Sequence, residues 1–339
     1  MSVLFRIAVG VLACVFFWSL DAAAWDRGSV QKFATLPAGY ANPEGLTIGP
    51  HGDVYVTTFA VTGAGATQQG QLFVFDGDNG RLKRQVTVAG SSNLLLGLAF
   101  HPDTHELLVI DFGKGQVLRV NSHTGASSVF MTVTGASGLN ALTFDSHGNV
   151  YVSDSAQGII WKTGKAGGPG TIWVQDASLA PNGTPPFGAN GLQFNSNESA
   201  LFVANTSTDQ IIRVPSTAGV AGKPEVFVNS VNGADGLFLD EHDNIWVAAN
   251  QADEIVVIDK TGRAIAKLGD FGGLDERDAP IGLLFPASPA MNDGWVYVTN
   301  LSLDIRLFGL PQAVDSQWAA EVRSHTIARL RARIPPVPR

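Results

Sequence analysis

Cysteine is all but missing from this chain. The one residue, Cys14, lies inside the first apolar segment. The rest of the protein can therefore form no disulfide, hold no metal through thiolate and attack no substrate through sulfur. Charge is scarce as well. Asp, Glu, Lys and Arg make up 15% of the residues, against a usual ~25%. Acids outnumber bases by 30 to 22, a formal net charge of −8, and no basic patch stands outside the C-terminal tail. That balance offers nucleic acid no docking surface. No G-x-S-x-G elbow occurs, so Ser-His-Asp hydrolysis has no support. Long apolar runs are missing too, with one exception at the start. Residues 7–20 (IAVGVLACVFFWSL) follow Arg6 and precede the small residues of DAAA (21–24). This reads as an export signal cleaved after Ala24, because the run is short for a spanning helix. A lipoprotein cut at Cys14 fits less well, since the apolar run continues through Trp18. The expected mature protein is exported, free of the membrane and monomeric.

Glycine is plentiful, with 38 of 339 residues, above the usual ~7%. It punctuates many short runs of Val, Ile, Phe and Tyr, the pattern of an all-β chain with frequent turns. One unit recurs six times. PEGLTIGPHGDVYVTTF (43–59), LLGLAFHPDTHELLVIDF (95–112) and LNALTFDSHGNVYVSDS (139–155) are followed by ANGLQFNSNESALFVANT (189–206), ADGLFLDEHDNIWVAAN (234–250) and PIGLLFPASPAMNDGWVYVTN (280–300). The period of about 47 residues suits one four-stranded propeller blade. The expected fold is all-β: a six-bladed β-propeller over 25–310, after a signal peptide at 1–24. The last unit shows three strands, ending at DIRLFGL (304–310), and SVQKFATLP (29–37) is a strand without a blade. The N-terminal strand is therefore expected to close the last blade and remove an open sheet edge. Residues 311–339 are expected to form a C-terminal helical tail, with Trp318, Val322 and Leu330 on one face. Its five arginines could alternatively touch a partner.

In a propeller the residue that opens each innermost strand points into the central channel. Those residues are Glu44, Leu96, Asn140, Asn190, Asp235 and Ile281. Packing alone would favour six small or apolar side chains. Four instead carry oxygen, and two are carboxylates, which would repel or go unsatisfied without a cation. Hard oxygen ligands suit Ca²⁺ best, with Mg²⁺, Mn²⁺ or Zn²⁺ as alternatives. Glu44, Asn140, Asn190 and Asp235 are the candidate metal ligands. Leu96, Ile281, Phe59, Phe112 and Phe187 are candidate pocket walls.

The motifs Glu44-Gly45, Asn140-Ala141, Asn190-Gly191-Leu192 and Asp235-Gly236 match, in order and in blade, those of the senescence-marker-protein/gluconolactonase family and its relative diisopropyl fluorophosphatase. The resemblance covers about residues 40 to 305. It implies a six-bladed propeller with one catalytic divalent cation on its axis and a small-molecule substrate. It also implies hydrolysis of a lactone, ester or phosphotriester, with Asp235 as general base or nucleophile. The chain departs from the family at Gly138, where the sugar-lactonase members carry an arginine that grips the substrate. That departure, with apolar Leu96 and Ile281 in the ring, implies a less polar ligand. The alternatives are a non-enzymatic binding propeller with a structural cation, and a strictosidine-synthase-like enzyme. His51, His101, His105, His147 and His242 are read as exposed turn residues. Asp111, Asp154, Asn205, Asn250 and Asn300 end second strands and are read as turn caps, with support of the ring as a lesser role.

Overall fold

The computed structural model describes residues 25–135, 137–310 and 315–336. The expected signal segment at 1–24 lies outside the described residues. Six antiparallel sheets of four principal strands surround one axis. The innermost strands are Pro43–Ile48, Leu95–Phe100, Leu139–Phe144, Ala189–Phe194, Ala234–Leu239 and Pro286–Asn292. Each lies beside the next, and the sixth lies beside the first, which closes the ring. The core is the set of apolar layers between neighbouring blades. Only one short α-helix is present among the described residues, Ser316–Ala319 near the C-terminus.

The Gly-Leu pair has a physical cause. Every innermost strand breaks register after its first residue pair, so that two residues bulge out of the ladder. The bulges fall between Pro43 and Leu46, Leu95 and Leu98, Leu139 and Leu142, Ala189 and Leu192, Ala234 and Leu237, and Pro286 and Pro289. A bulge bends its strand and re-aims a side chain. The first bulged residue is the ring residue. The second must pass the backbone of the next blade. A Cβ on Gly191 would sit 2.6 Å from the Asp235 carbonyl oxygen, and one on Gly236 would sit 2.6 Å from that of Ala287. Hydroxyls tie the blades together at the same level. Thr57 donates to the Leu96 carbonyl at 2.6 Å, and Thr299 donates to that of Glu44 at 2.7 Å.

The N-terminal strand, Val30–Thr35, closes blade six as expected, but its neighbour differs. It pairs with Thr326–Arg331, which in turn pairs with Trp295–Asn300. The tail read as helical holds the short helix Ser316–Ala319, but its later part supplies the third strand of blade six, and residues 304–310 contain only the 3-10 turn Ile305–Phe308. Two flanking strands offer hydrogen-bond partners on both edges of the tail, which outweighs its helical spacing. Leu330 is a buried strand residue. Arg329 and Arg331 stack on Trp295, 4.4 and 3.8 Å from its ring centre. The propeller therefore runs past 310 to Arg331. One histidine also differs from expectation. His101 is fully buried, with Nε2 2.9 Å from the Gly148 carbonyl oxygen, whereas His51, His105, His147 and His242 are exposed.

Candidate metal centre

The register of blade six replaces one ring member. Pro286 pairs with Asn300 just as Pro43 pairs with Thr58, so Ala287, not Ile281, stands beside Glu44 on the axis. Ile281 belongs to an extra hairpin, Phe271–Leu274 with Pro280–Gly282, and is 48% exposed. Gly282-Leu283 imitates the repeat, but Gly282 serves a turn at φ 87°. The ring is therefore Glu44, Leu96, Asn140, Asn190, Asp235 and Ala287, all buried.

Glu44, Leu96, Asn140, Asn190 and Asp235 line one cavity of about 40 Å³, together with Phe59 and Phe187. That is room for about three water-sized bodies. The walls orient the two amides. Ser155 Oγ spends its only proton on the Ala189 carbonyl at 2.7 Å, so it must accept from Asn140 Nδ2 at 3.2 Å. Thr206 Oγ1 likewise donates to the Ala234 carbonyl at 2.7 Å and accepts from Asn190 Nδ2 at 3.0 Å. Each amide nitrogen is held by the wall, which leaves the amide oxygen as the group for the cavity.

The two carboxyls are in an unfavourable setting. Burial, and then the charge of Asp235, hold the Glu44 carboxyl well above its usual range. Burial pushes Asp235 up to about 7, against a 3.0 Å hydrogen bond donated by Asn250 Nδ2 and further hydrogen bonds from the Asn190 side chain and the Gly236 backbone. Glu44 Oε2 is buried without a hydrogen-bond partner among the described residues. An unpartnered buried carboxylate oxygen costs stability and calls for an explanation. A divalent cation held by Glu44, Asp235 and the amide oxygens of Asn140 and Asn190 would satisfy it. The donor set is all hard oxygen with two negative charges, which fits Ca²⁺.

A second tier stands one step outward, immediately after the second-strand residue that pairs with each strand opening. It comprises Phe59, Phe112, Ser155, Thr206, Asn250 and Leu301. Asn250 therefore does not correspond to the other four residues with which the sequence groups it. Those four hold turns and loops. Asp154 accepts from the Gly138, Ala156 and Gln157 backbones, and Asp111 accepts from that of Ser92. Asn205 donates to the Ser178 carbonyl and Asn300 to that of Gly282. Asn250 instead supports Asp235. In blades three, four and five a polar second-tier residue bonds a polar ring residue. In blades six, one and two the second tier is apolar. Sequence reading missed Ser155, Thr206, Leu301 and Ala287. Ser155 and Thr206 were detectable as hydroxyls directly after VYVSD and LFVAN in the two blades whose ring residue is Asn. Phe59 and Phe187 line the cavity, while Phe112 packs edge-on against Phe59 at 5.6 Å.

Fold and ring together define a six-bladed propeller with an oxygen-lined axial site. The chain belongs to the SMP-30/Gluconolactonase/LRE-like region family, which matches residues 7–169 and 116–269. No curated protein matches it. Among solved structures it is similar to the calcium-binding protein regucalcin from Agrobacterium tumefaciens, at 18% identity over 92% of this chain and 98% of that one, TM-score 0.63. It is also similar to a gluconolactonase from Xanthomonas campestris, at 12% identity over 89% of each chain, TM-score 0.61. Virginiamycin B lyase from Staphylococcus aureus is another neighbour, at 12% identity over 90% of this chain and 99% of that one, TM-score 0.58. At these identities the likeness speaks for the fold alone.

Proposed function

We propose that this protein is an exported, monomeric, divalent-metal-dependent hydrolase of a lactone or related ester. The observation that carries the reading is the orphaned Glu44 Oε2, buried within electrostatic reach of Asp235 in a cavity that two amide oxygens complete. Family membership and a gluconolactonase of the same fold support the lactonase class. A calcium-binding neighbour supports the choice of Ca²⁺. Glu44, Asn140, Asn190 and Asp235 would hold the ion, which when bound supplies Lewis-acid polarisation of a carbonyl oxygen. Asp235 is the proton acceptor. Its carboxylate takes a proton from water as the water oxygen bonds to the carbonyl carbon. The proton then passes to the ring oxygen as the carbon–oxygen bond breaks. Asn250 fixes the orientation of the Asp235 carboxylate through its 3.0 Å bond.

The test is a panel of lactones and esters with Ca²⁺ and with chelator. Turnover should depend on the ion, disappear in Asp235→Asn and need far more Ca²⁺ in Glu44→Gln. Chelator-insensitive turnover, or wild-type turnover by Asp235→Asn, would refute the mechanism. One observation favours a second reading. A cavity of about 40 Å³ holds an ion and a water or two but no lactone ring, which suits a binding propeller with a structural cation. Ca²⁺ binding without any turnover would select that reading.

A further inference from the structure

Resting on the hydrolase reading, we infer that the substrate is a lactone or ester with an aliphatic or aromatic arm, and that the arm lies over blades six, one and two. The two tiers of the axis are divided by blade. Blades three to five carry every polar second-tier residue, and each of these is already bonded to a ring residue. Over blades six, one and two, only Glu44 interrupts an apolar lining of Leu301, Phe59 and Leu96, with Phe112 packed against Phe59. Among the described residues, Glu44 and Asp235 are the only charged side chains lining the cavity, and both would be committed to the ion. Among the described residues, the acceptor left without a partner beside the two carboxyls is Asn250 Oδ1, on blade five; over blades six, one and two a substrate hydroxyl finds no such group, and each unpaired polar group costs about 5- to 150-fold in binding. Gly138 cannot supply one. A Cβ added there would lie 3.1 Å from Ala156 and 3.4 Å from the Phe112 ring.

The way in is also apolar. The cavity is narrow, about 40 Å³, and the arm of a substrate must extend from it toward the surface. The crossover after Leu303 forms part of the cavity wall through Leu303 and Ile305. Among the described residues, the backbone bonds of 304–310 run within the segment, from Leu307 N to Asp304 O and from Gly309 N to Arg306 O. Arg306 Nη2 also donates to the Ser316 carbonyl at 3.2 Å. Ile305 faces the cavity from this segment. Phe308, 44% exposed, stacks on Phe59 at 6.5 Å, and Leu307 is 56% exposed. Ile305 and Phe308 thus join Phe59 and Phe112 as an apolar track from the cavity to the surface.

The experiment is a series of γ-lactones with unbranched side chains of increasing length, set against a fully hydroxylated six-membered lactone, all with Ca²⁺. kcat/KM should rise about fourfold per methylene, the equivalent of about 0.8 kcal/mol, until the track is filled. The hydroxylated lactone should be at least tenfold poorer than the unsubstituted ring. Phe308→Ala should flatten the chain-length dependence, and its exposure makes the substitution safe for folding. Phe112→Ser, which gives blade two the residue of blade three, should do the same. A flat series, or a hydroxylated lactone that matches the alkyl ones, overturns the inference while the hydrolase reading stands. Turnover of neither class refutes the hydrolase reading instead. The inference is then decided by calorimetry with lactams of the same chain lengths, and it falls if their affinity does not depend on length.

Discussion

Replacing Asp235 by Asn should stabilise the metal-free protein and abolish its response to calcium. The carboxyl titrates near 3.8 when free and at about 7 in the fold, because burial opposes its charge. Between those values the folded state keeps a proton that the unfolded chain has lost. Stability therefore falls as pH rises through that window, and above it the loss is complete. Three pH units correspond to about 4 kcal/mol. Glu44 is shifted in the same direction, so the wild-type decline should be steeper than Asp235 alone would give. Asn at 235 keeps an oxygen for Asn250 but does not titrate. At pH 8 the metal-free variant should melt about 6 °C above wild type, taking ~2.1 cal/mol/K per residue over about 300 residues. At pH 4, where the wild-type carboxyl is protonated, the two should melt together. Calcium at a hundred times its dissociation constant adds about 2.7 kcal/mol, or about 4 °C, to the wild type alone. Scanning calorimetry in chelator and in calcium at pH 4, 6 and 8 measures all of this. The account of the axis fails if the metal-free variant melts at or below wild type at pH 8, or if calcium raises both proteins equally.

Asp253 should behave similarly for a structural reason. Burial, then Asp315 and Asp270, push its carboxyl up to about 8; Asp253→Asn should raise the melting temperature at pH 9 and leave it unchanged at pH 4. Removing residues 25–35 strips the outer strand from blade six and should lower stability by several kcal/mol. Ending the chain at 325 removes the third strand of that blade and should prevent folding, as circular dichroism of the two truncations would reveal. Gly191→Ala places a methyl 2.6 Å from the Asp235 carbonyl oxygen and should cost about 1–3 kcal/mol in denaturant unfolding. Mass spectrometry of the exported protein should find its first residue near Trp25, and an intact Met1 would exclude cleavage.

The fold was legible because each blade repeats a constraint. The glycine of each Gly-Leu pair recurs where one innermost strand passes the backbone of the next, and the polar turn after it recurs in every unit. Blade six was misread where the repetition was imitated or interrupted. Gly282-Leu283 copies the motif in a hairpin outside the ring, and the third strand arrives only after a crossover of about two dozen residues. Thr326–Arg331 has little strand signal of its own, since its arginines suit a helix equally well. It is a strand because Trp295–Asn300 and Val30–Thr35 stand on either side, a long-range fact that no local pattern carries. The four oxygen-bearing ring residues were legible for the opposite reason. They interrupt an apolar expectation at one fixed position of the repeat. Their supports, Ser155, Thr206 and Asn250, required the strand register, which places them opposite the ring and not among the turn caps.

The bulges explain why residue identity in the ring can be read as chemistry. Each ring residue lies outside its sheet ladder, on a bend the glycine or its substitute makes possible, so the sheet places no demand on the side chain. Leu96, Ala287, Asn190 and Asp235 occupy equivalent backbone positions, and the propeller accommodates all four types. A carboxylate is the most costly of these to bury. Its presence at two of six interchangeable positions cannot come from folding, which Leu or Ala serves better. The same logic applies one tier outward, where Phe59, Phe112 and Leu301 stand at positions that Ser155, Thr206 and Asn250 show can be polar. The apolar half of the axis is thus a departure of the same kind as the charged ring. Both are features that the fold permits without requiring, and together they are the ground for proposing an ion at the centre with a non-polar substrate beside it.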